Sequence, residues 1–333
     1  MFFQRIAIIV PVVKLSYPEY MLSFPNDINV LWRQLPASRK WGEFEFAIND
    51  KQITTCDYWI VYNDMGLVAS ETVMCPPEHV IFISDEPETV YTYPKRFLAQ
   101  FYQVVSCQQN MLHDNTVMSL TGQTWFVDKS FDELMQTDHI EKTKAISVLC
   151  SDKQFTAGHK QRYDFVKRLK QHFGDHLEWF GRGVQDFDDK WDVLAPYRFS
   201  IAIENSVYPH YMTEKLSDCY LAHTMPLYFG CPNVTDYFDE QSLVKIDLED
   251  FDGTVKTIEH ILAESDYYER HFSSIKHAKQ CYLMQYQFFP LMVSLLAALP
   301  EGGTPKAVTL QPETAFSMKR RVKKMIKRII GRH

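Results

Sequence analysis

Residues 198–231 read RFSIAIENSVYPHYMTEKLSDCYLAHTMPLYFGC. An apolar run from Phe199 to Ile203 ends in Glu204-Asn205-Ser206. Thr213-Glu214-Lys215 then opens a helix that reaches His223, and a second apolar run, Met225 to Phe229, closes on Gly230. The pattern predicts strand, polar loop, helix, strand: a parallel βαβ unit with its reactive side chains at one end of a sheet. In open α/β sheets ligands bind at that end.

The same alternation extends on the N-terminal side. A strand at Ala145–Cys150 leads to a helix over His159–Phe173, a strand at Leu177–Phe180 and a Gly181-Arg182-Gly183 turn. Further upstream, short apolar runs at Ile6–Val13, Tyr58–Tyr62, His79–Ile83 and Tyr102–Ser106 are separated by polar or proline-marked segments. Ile6–Val13 reads as the first core strand. A polar stretch at Thr137–Thr143 marks the linker. The expected domains are therefore 1–140, 141–300 and a terminal linker and tail over 301–333, with an α/β fold in both large domains.

Composition narrows the function classes. Of 333 residues 46% are apolar, enough for sizeable cores. The longest apolar stretches, Ile6–Val13 and Phe288–Leu299, fall short of the ~20 residues a bilayer requires. The opening Met-Phe-Phe-Gln-Arg lacks the basic and apolar regions of a signal peptide. Seven cysteines without a C-x-x-C pair suit reduced thiols, so the Asn233-Val234-Thr235 sequon is expected to be incidental and the chain cytoplasmic. From Met318 the chain carries eight Lys/Arg and no acid, which leaves the rest at −15 against a total of −7. Val322, Met325, Ile326, Ile329 and Ile330 recur there at helical spacing. A basic amphipathic helix over 318–333 fits an anionic membrane surface, the inner face of a membrane for a cytoplasmic protein. The acidic body disfavours nucleic acid.

The chemistry-bearing residues fit an anion site. Thr213 is an N-cap whose helix offers free N–H groups to an anion, and Lys215 adds a full charge beside them. Glu214 can accept hydrogen bonds from hydroxyls. A capped helix with a surface Glu-Lys pair would need no ligand; the Glu204-Asn205 pair ending an apolar strand is what speaks for a site, since buried polar groups must be bonded. Asp186-Phe187-Asp188 resembles a metal-binding D-x-D, but Lys215 and Arg162 already supply positive charge, and no metal or other cofactor is expected. Neither H-E-x-x-H nor G-x-S-x-G is present.

The stretch resembles the donor-binding signature of the α-1,3-fucosyltransferases, glycosyltransferase family 10: F-x-x-x-x-E-N-S/T, then Y-x-T-E-K, then P-x-x-x-G. The departure is Val207-Tyr208-Pro209-His210, where other members carry different linkers. The resemblance implies that Asn205, Tyr211, Glu214 and Lys215 contact GDP-fucose, with Lys215 at the phosphates, Glu214 at the ribose and Glu204 in the same motif. It also aligns Ser151 and Arg162 with a stretch that places an arginine on the diphosphate; Asp152 stands where Asn is common. Ile83-Ser84-Asp85-Glu86-Pro87 matches a G-E-N or G-E-P turn whose glutamate is the general base. Glu86 takes that position, with Asp85 in place of the usual glycine, so the base is open between the two. The resemblance implies a GT-B architecture, two Rossmann-like domains facing across a cleft. The implied activity is inverting transfer of L-fucose from GDP-fucose to a glycan hydroxyl, in α-1,3 linkage, on a surface polysaccharide, lipopolysaccharide or glycolipid. The alternatives are a GT-B enzyme with another nucleotide sugar and a non-catalytic nucleotide-sugar or glycan-binding protein.

Overall fold

The computed structural model describes residues 10–22, 30–63, 65–152 and 157–316. The basic tail at 318–333, and the amphipathic helix expected there, lie outside the described residues. The chain divides into two compact units, Met1–Thr121 with Leu291–His333, and Gly122–Pro290. The sequence reading had placed its limits at 140 and 300.

The first unit contains β1 (Val12–Ser16), α1 (Glu19–Leu22), β2 (Lys40–Trp41), β3 (Phe44–Ile48), β4 (Tyr58–Tyr62), β5 (Glu71–Cys75), β6 (Val80–Ile83), α2 (Lys95–Leu98), β7 (Gln103–Ser106) and β8 (Thr116–Met118). Its main sheet has the order β2-β3-β1-β4-β6-β7-β8. All neighbours are parallel except β2 against β3. Trp59, Val61, Phe82 and Val104 bury one face against Phe97 and Phe101. Strands covered on both faces read as continuous apolar runs, which is why β4, β6 and β7 were legible. The first described strand runs Val12–Ser16; of the stretch expected as the first strand, Ile6–Val13, residues 6–9 lie outside the described residues and the strand extends past Val13. Lys14 interrupts the apolar run and hid that extension. Lys14 is 2% exposed and is accommodated by Glu71 at 2.8 Å and the Asp50 carbonyl at 2.8 Å, because a buried charge persists only when paired.

The second unit contains α3 (Phe131–Gln136), β9 (Lys144–Leu149), α4 (Ala157–Phe173), β10 (Leu177–Phe180), α5 (Lys190–Leu194), β11 (Tyr197–Ile203), α6 (Glu214–Leu221), β12 (Met225–Phe229), β13 (Val244–Lys245), α7 (Phe251–Ala263) and α8 (Tyr267–Cys281). The five strands form one sheet, β10-β9-β11-β12-β13, parallel throughout. The expected strands and helices between 145 and 229 all form, within a few residues of their anticipated ends. The chain steps from β9 outward to β10, then returns past β9 to β11. Between β9 and β11 the strand order reverses, and the loops after the two strands diverge to leave a crevice. The helix α6 is buried on almost every side, including Asp218 at 1% exposed.

The chain returns to the first unit through α9 (Phe288–Ala297) and ends its described course with β14 (Lys306–Leu310). β14 pairs antiparallel with β5, Val308 opposite Val73, so the stretch read as a linker from 301 contributes a strand. All seven cysteines are free thiols.

Candidate donor-binding site

A cavity of about 290 Å³ lies at the C-terminal ends of the second unit's strands. Cys150 and Ser151 follow β9, Gly181 and Arg182 follow β10, and Asn205 follows β11. Arg162 and His159 reach it from α4, Lys190 from α5, and Glu214, Lys215 and Asp218 from α6. Five of the residues picked out in the sequence, Ser151, Arg162, Asn205, Glu214 and Lys215, share this wall. Four cations, Arg162, Arg182, Lys190 and Lys215, face two carboxylates, Glu214 and Asp218. The excess of positive charge suits a dianion.

Two polar atoms in the wall are left over. Arg162 is 6% exposed, and its Nε has no hydrogen-bond partner among the described residues. The same holds for Asn205 Oδ1. Buried polar groups are ordinarily satisfied, so an orphaned guanidinium nitrogen in a cavity wall marks a place for an external acceptor.

The N-terminus of α6 is built around a buried carboxylate. Glu204 is 2% exposed and its backbone N–H still donates to the Phe229 carbonyl at 2.8 Å. Its Oε1 accepts from the Thr213 N–H at 2.8 Å and its Oε2 from the Thr213 hydroxyl at 2.7 Å. Thr213 in turn caps the helix, accepting from the Lys215 N–H at 3.4 Å. Lys215 Nζ lies 2.9 Å from Thr213 Oγ1, 3.2 Å from Glu214 Oε1 and 3.5 Å from Glu204 Oε2. Glu204 thereby closes the 205–212 loop and lies outside the cavity wall, as does Tyr211, which is 6% exposed.

Glu214 sits between two ammonium groups, Lys215 and, at 3.6 Å, Lys190. Burial would raise its pKa, but Lys215 and then Lys190 outweigh burial and hold it down to about 2. It is a fixed acceptor at any physiological pH. Lys190 also pairs with Asp218 at 2.8 Å, and Asp218 Oδ1 accepts from the Phe126 N–H at 3.0 Å. Burial works against the charge on Lys190, yet Asp218 and Glu214 keep its pKa above the ordinary value. Lys190, Asp218 and Arg182 were missed in the sequence reading. Asp218 carried no signal of its own, because Glu214 and Lys215 stand four and three residues before it on the same helical face. Asp186 and Asp188 are exposed, and Phe187 between them faces the cavity.

The departing linker 207–210 has its own fixing. His210 adopts a left-handed φ of 62°, its N–H donates to Asn233 Oδ1 at 2.8 Å, and its ring pairs with the Tyr237 hydroxyl. The sequon asparagine also takes the Cys231 thiol at 3.1 Å and donates to Asp236 at 2.9 Å. Its amide therefore anchors the loop.

Glu86 belongs to the first unit, on the loop after β6. The Glu86 carbonyl accepts from Ser84 Oγ at 3.2 Å and Gln108 Nε2 at 2.7 Å. Asp85 is 3% exposed and accepts from the Asn63 amide, whereas Glu86 is half-buried. Burial first, and then the charge of Glu86, push Asp85 up to about 7.

Several known proteins resemble this chain. Residues 139–293 match the family described as glycosyltransferase family 10 (fucosyltransferase), C-terminal. Alpha-(1,3)-fucosyltransferase FucT of Helicobacter pylori is 33% identical over 81 residues, 24% of this chain and 17% of that protein. Alpha-(1,3)-fucosyltransferase B of Drosophila melanogaster is 25% identical over 238 residues, 67% of this chain and 48% of the other. The GDP-fucose protein O-fucosyltransferase 3 of Danio rerio is 23% identical over 188 residues, 50% and 39% of the two chains. The chain thus spans less than half the length of these curated relatives. A crystal structure of α1,3-fucosyltransferase with GDP superposes with a TM-score of 0.50 at 16% identity, covering 85% of this chain and 93% of that one. That likeness establishes the fold, and the expected α/β class of GT-B type with two Rossmann-like units is the one found. Glu204-Asn205-Ser206 and Thr213-Glu214-Lys215, which carry the resemblance read from the sequence, lie inside residues 139–293, the stretch that matches glycosyltransferase family 10, the fucosyltransferases.

Proposed function

We propose that the chain is an inverting fucosyltransferase that uses GDP-fucose. The observation that carries this reading is the orphaned, buried Arg162 Nε in a cavity with excess positive charge. The family match and the relatives' names, all fucosyltransferases, suggest the sugar, and the relative named for GDP-fucose suggests the nucleotide. Arg162 and Lys215 bind the diphosphate, Glu214 accepts from ribose hydroxyls, and Asn205 and Ser151 complete the polar wall. Tyr211 and Glu204 shape the loop that carries these contacts.

In the transfer step, Glu86 takes the proton of the acceptor hydroxyl as that oxygen attacks C1 of fucose. The bond between C1 and the β-phosphate oxygen breaks, and GDP departs with the electron pair. Arg162 and Lys215 stabilise the charge that develops there. Attack opposite the leaving group turns the β-linked donor into an α-fucoside. No step requires a divalent metal in this scheme.

The acceptor is a glycan hydroxyl, in α-1,3 linkage as in the relatives' names, on a lipopolysaccharide, surface polysaccharide or glycolipid. The basic tail would hold the enzyme on the inner face of an anionic membrane. No described helix is long and apolar enough to cross one.

Calorimetric titration of the protein with GDP, GDP-fucose, UDP, ADP and CMP, without added metal, tests the donor. Binding of GDP and GDP-fucose alone is expected. Binding of UDP or CMP instead, or of no nucleotide, overturns the fucosyl reading. The acceptor screen should include a hydroxyl-bearing polypeptide beside glycans, because one relative is named a protein O-fucosyltransferase.

A further inference from the structure

We propose that Lys142 is a positioning residue for the donor cavity: one buried amine gathers the C-terminal ends of α5 and α6 and so fixes where their opposite ends hold Lys190, Glu214 and Lys215. The proposal rests on the reading of that cavity as the donor site.

Lys142 stands two residues ahead of β9, at the N-terminal edge of the second unit's sheet, and does not line the cavity at the other edge. The N–H groups of Thr143 and Lys144 both donate to the Pro196 carbonyl at 3.0 Å, which docks this segment on the turn between α5 and β11. From there Lys142 Nζ donates to the Ala195 carbonyl at 2.8 Å, the Ala222 carbonyl at 2.7 Å and the Thr224 hydroxyl at 3.1 Å. Ala195 is the C-cap of α5 and Ala222 the C-cap of α6. Ala195 is 5% exposed, and Ala222 and Thr224 are fully buried. The Thr224 hydroxyl lies 2.8 Å from the Leu194 carbonyl and 3.1 Å from that of Tyr197. Two helix ends and the starts of β11 and β12 thus meet at one polar point.

A lysine suits that point. The last carbonyls of a helix have no intrahelical donor, and the helix dipole leaves partial negative charge there. An ammonium offers three donors and no acceptor, so one side chain satisfies both ends. Burial pushes the pKa of Lys142 down to about 7, so its charge is kept at a cost that a surface lysine does not bear.

The same two helices meet again in the cavity wall. Lys190 opens α5 and pairs with Glu214 at 3.6 Å and Asp218 at 2.8 Å. Glu214 opens α6, whose eight residues span about 12 Å. The Ala222 N–H donates to the Asp218 carbonyl at 3.1 Å, so the node lies one turn from a wall residue. α5 and α6 are therefore joined at both ends, by Lys142 at one and by Lys190 at the other. Without Lys142 the two buried carbonyls must turn toward other donors. Helices of five and eight residues follow as rigid bodies, carrying Lys190 and Lys215 with them.

Calorimetric titration with GDP at pH 6, well below each variant's melting midpoint, tests the proposal. A folded molecule keeps its affinity whatever its midpoint, so a purely structural clamp lowers the midpoint alone. Lys142→Met keeps the length without the charge. It should weaken GDP binding at least about fivefold, the lower end of couplings between separate sites. Lys142→Arg keeps charge and donors and should recover most of the affinity. Thr224→Val removes one oxygen of the node, should weaken GDP in the same direction, and carries the test if the methionine variant does not fold. In a Lys215→Ala background Lys142→Met should cost less than it does alone, because it acts through the helix that carries Lys215. Lower midpoints with unchanged GDP affinity in Lys142→Met and Thr224→Val overturn the proposal, and so do equal losses with and without Lys215. Failure of the natural protein to bind GDP overturns the donor reading itself, and this proposal with it.

Discussion

At the level of single residues, the proposed phosphate ligands Arg162 and Lys215, the proposed base Glu86 and the buried acid Asp85 can each be tested by substitution. Arg162→Ala and Lys215→Ala should each weaken GDP binding by more than ~1.4 kcal/mol, about tenfold, in a calorimetric titration; unchanged affinity would remove the residue from the site. Glu86→Gln should leave that affinity intact while transfer falls at least about a hundredfold. Asp85 also makes a prediction about stability. Its folded pKa, about 7, lies above its ordinary value, so folding favours the protonated form. That stabilisation is complete at low pH and fades as the pH rises through 7. Asp85→Asn should therefore lie nearest the natural protein at pH 4 and melt higher than it at pH 8.5, the margin growing between about 3.9 and 7. Equal melting at both would show that Asp85 stays ionised at little cost. That Arg162, Asn205, Glu214 and Lys215 would come together was legible, because each stands at or near a strand end or a helix start. Lys190 and Asp218 were not, since each looks like an ordinary helical surface residue until α5 packs against α6.

At the scale of elements, close backbone approach decides where α4 begins. A Cβ on Gly158 would stand 2.1 Å from the Asn205 carbonyl oxygen, so the start of the helix lies directly against the loop after β11. Gly158→Ala must push the helix away from Asn205 and move Arg162 with it. Overpacking of this kind costs about 1–3 kcal/mol, and the variant should show both a lower melting midpoint and weaker GDP binding. Normal GDP affinity in a destabilised protein would separate the helix position from the site. Gly230 has the matching role at the other end of β12, where a Cβ would lie 2.4 Å from Glu204 Cγ. The strands and helices between 144 and 229 were readable because each carries its own apolar period. The continuation of β1 past Val13 was not, because Lys14 needs a partner, Glu71, from a different strand.

At the scale of the molecule, charge separates the body from its end. The last sixteen residues carry eight positive charges on a chain whose total is −7. Deleting 318–333 should abolish sedimentation with vesicles containing anionic lipid while leaving turnover on a soluble acceptor unchanged. Equal sedimentation of the two forms would dismiss the membrane role. Raised salt should release the full-length chain from the same vesicles, because such attraction fades within a Debye length of ~10 Å at 0.1 M.

The sequence by itself determined the α/β class, the βαβ run of the second unit and the grouping of Asn205, Glu214 and Lys215. Those features depend on local periodicity and on residues that stand within about one loop of each other. Tertiary structure alone decided what lies beneath them. Thr72 and Thr309, hydrogen-bonded at 2.8 Å across β5 and β14, are 237 residues apart in the chain. Asn63 reaches Asp85 and Lys190 reaches Asp218 in the same way. No local pattern encodes such pairs, because the charge or hydrogen bond that each side chain meets is supplied by a distant segment only after the sheets have formed.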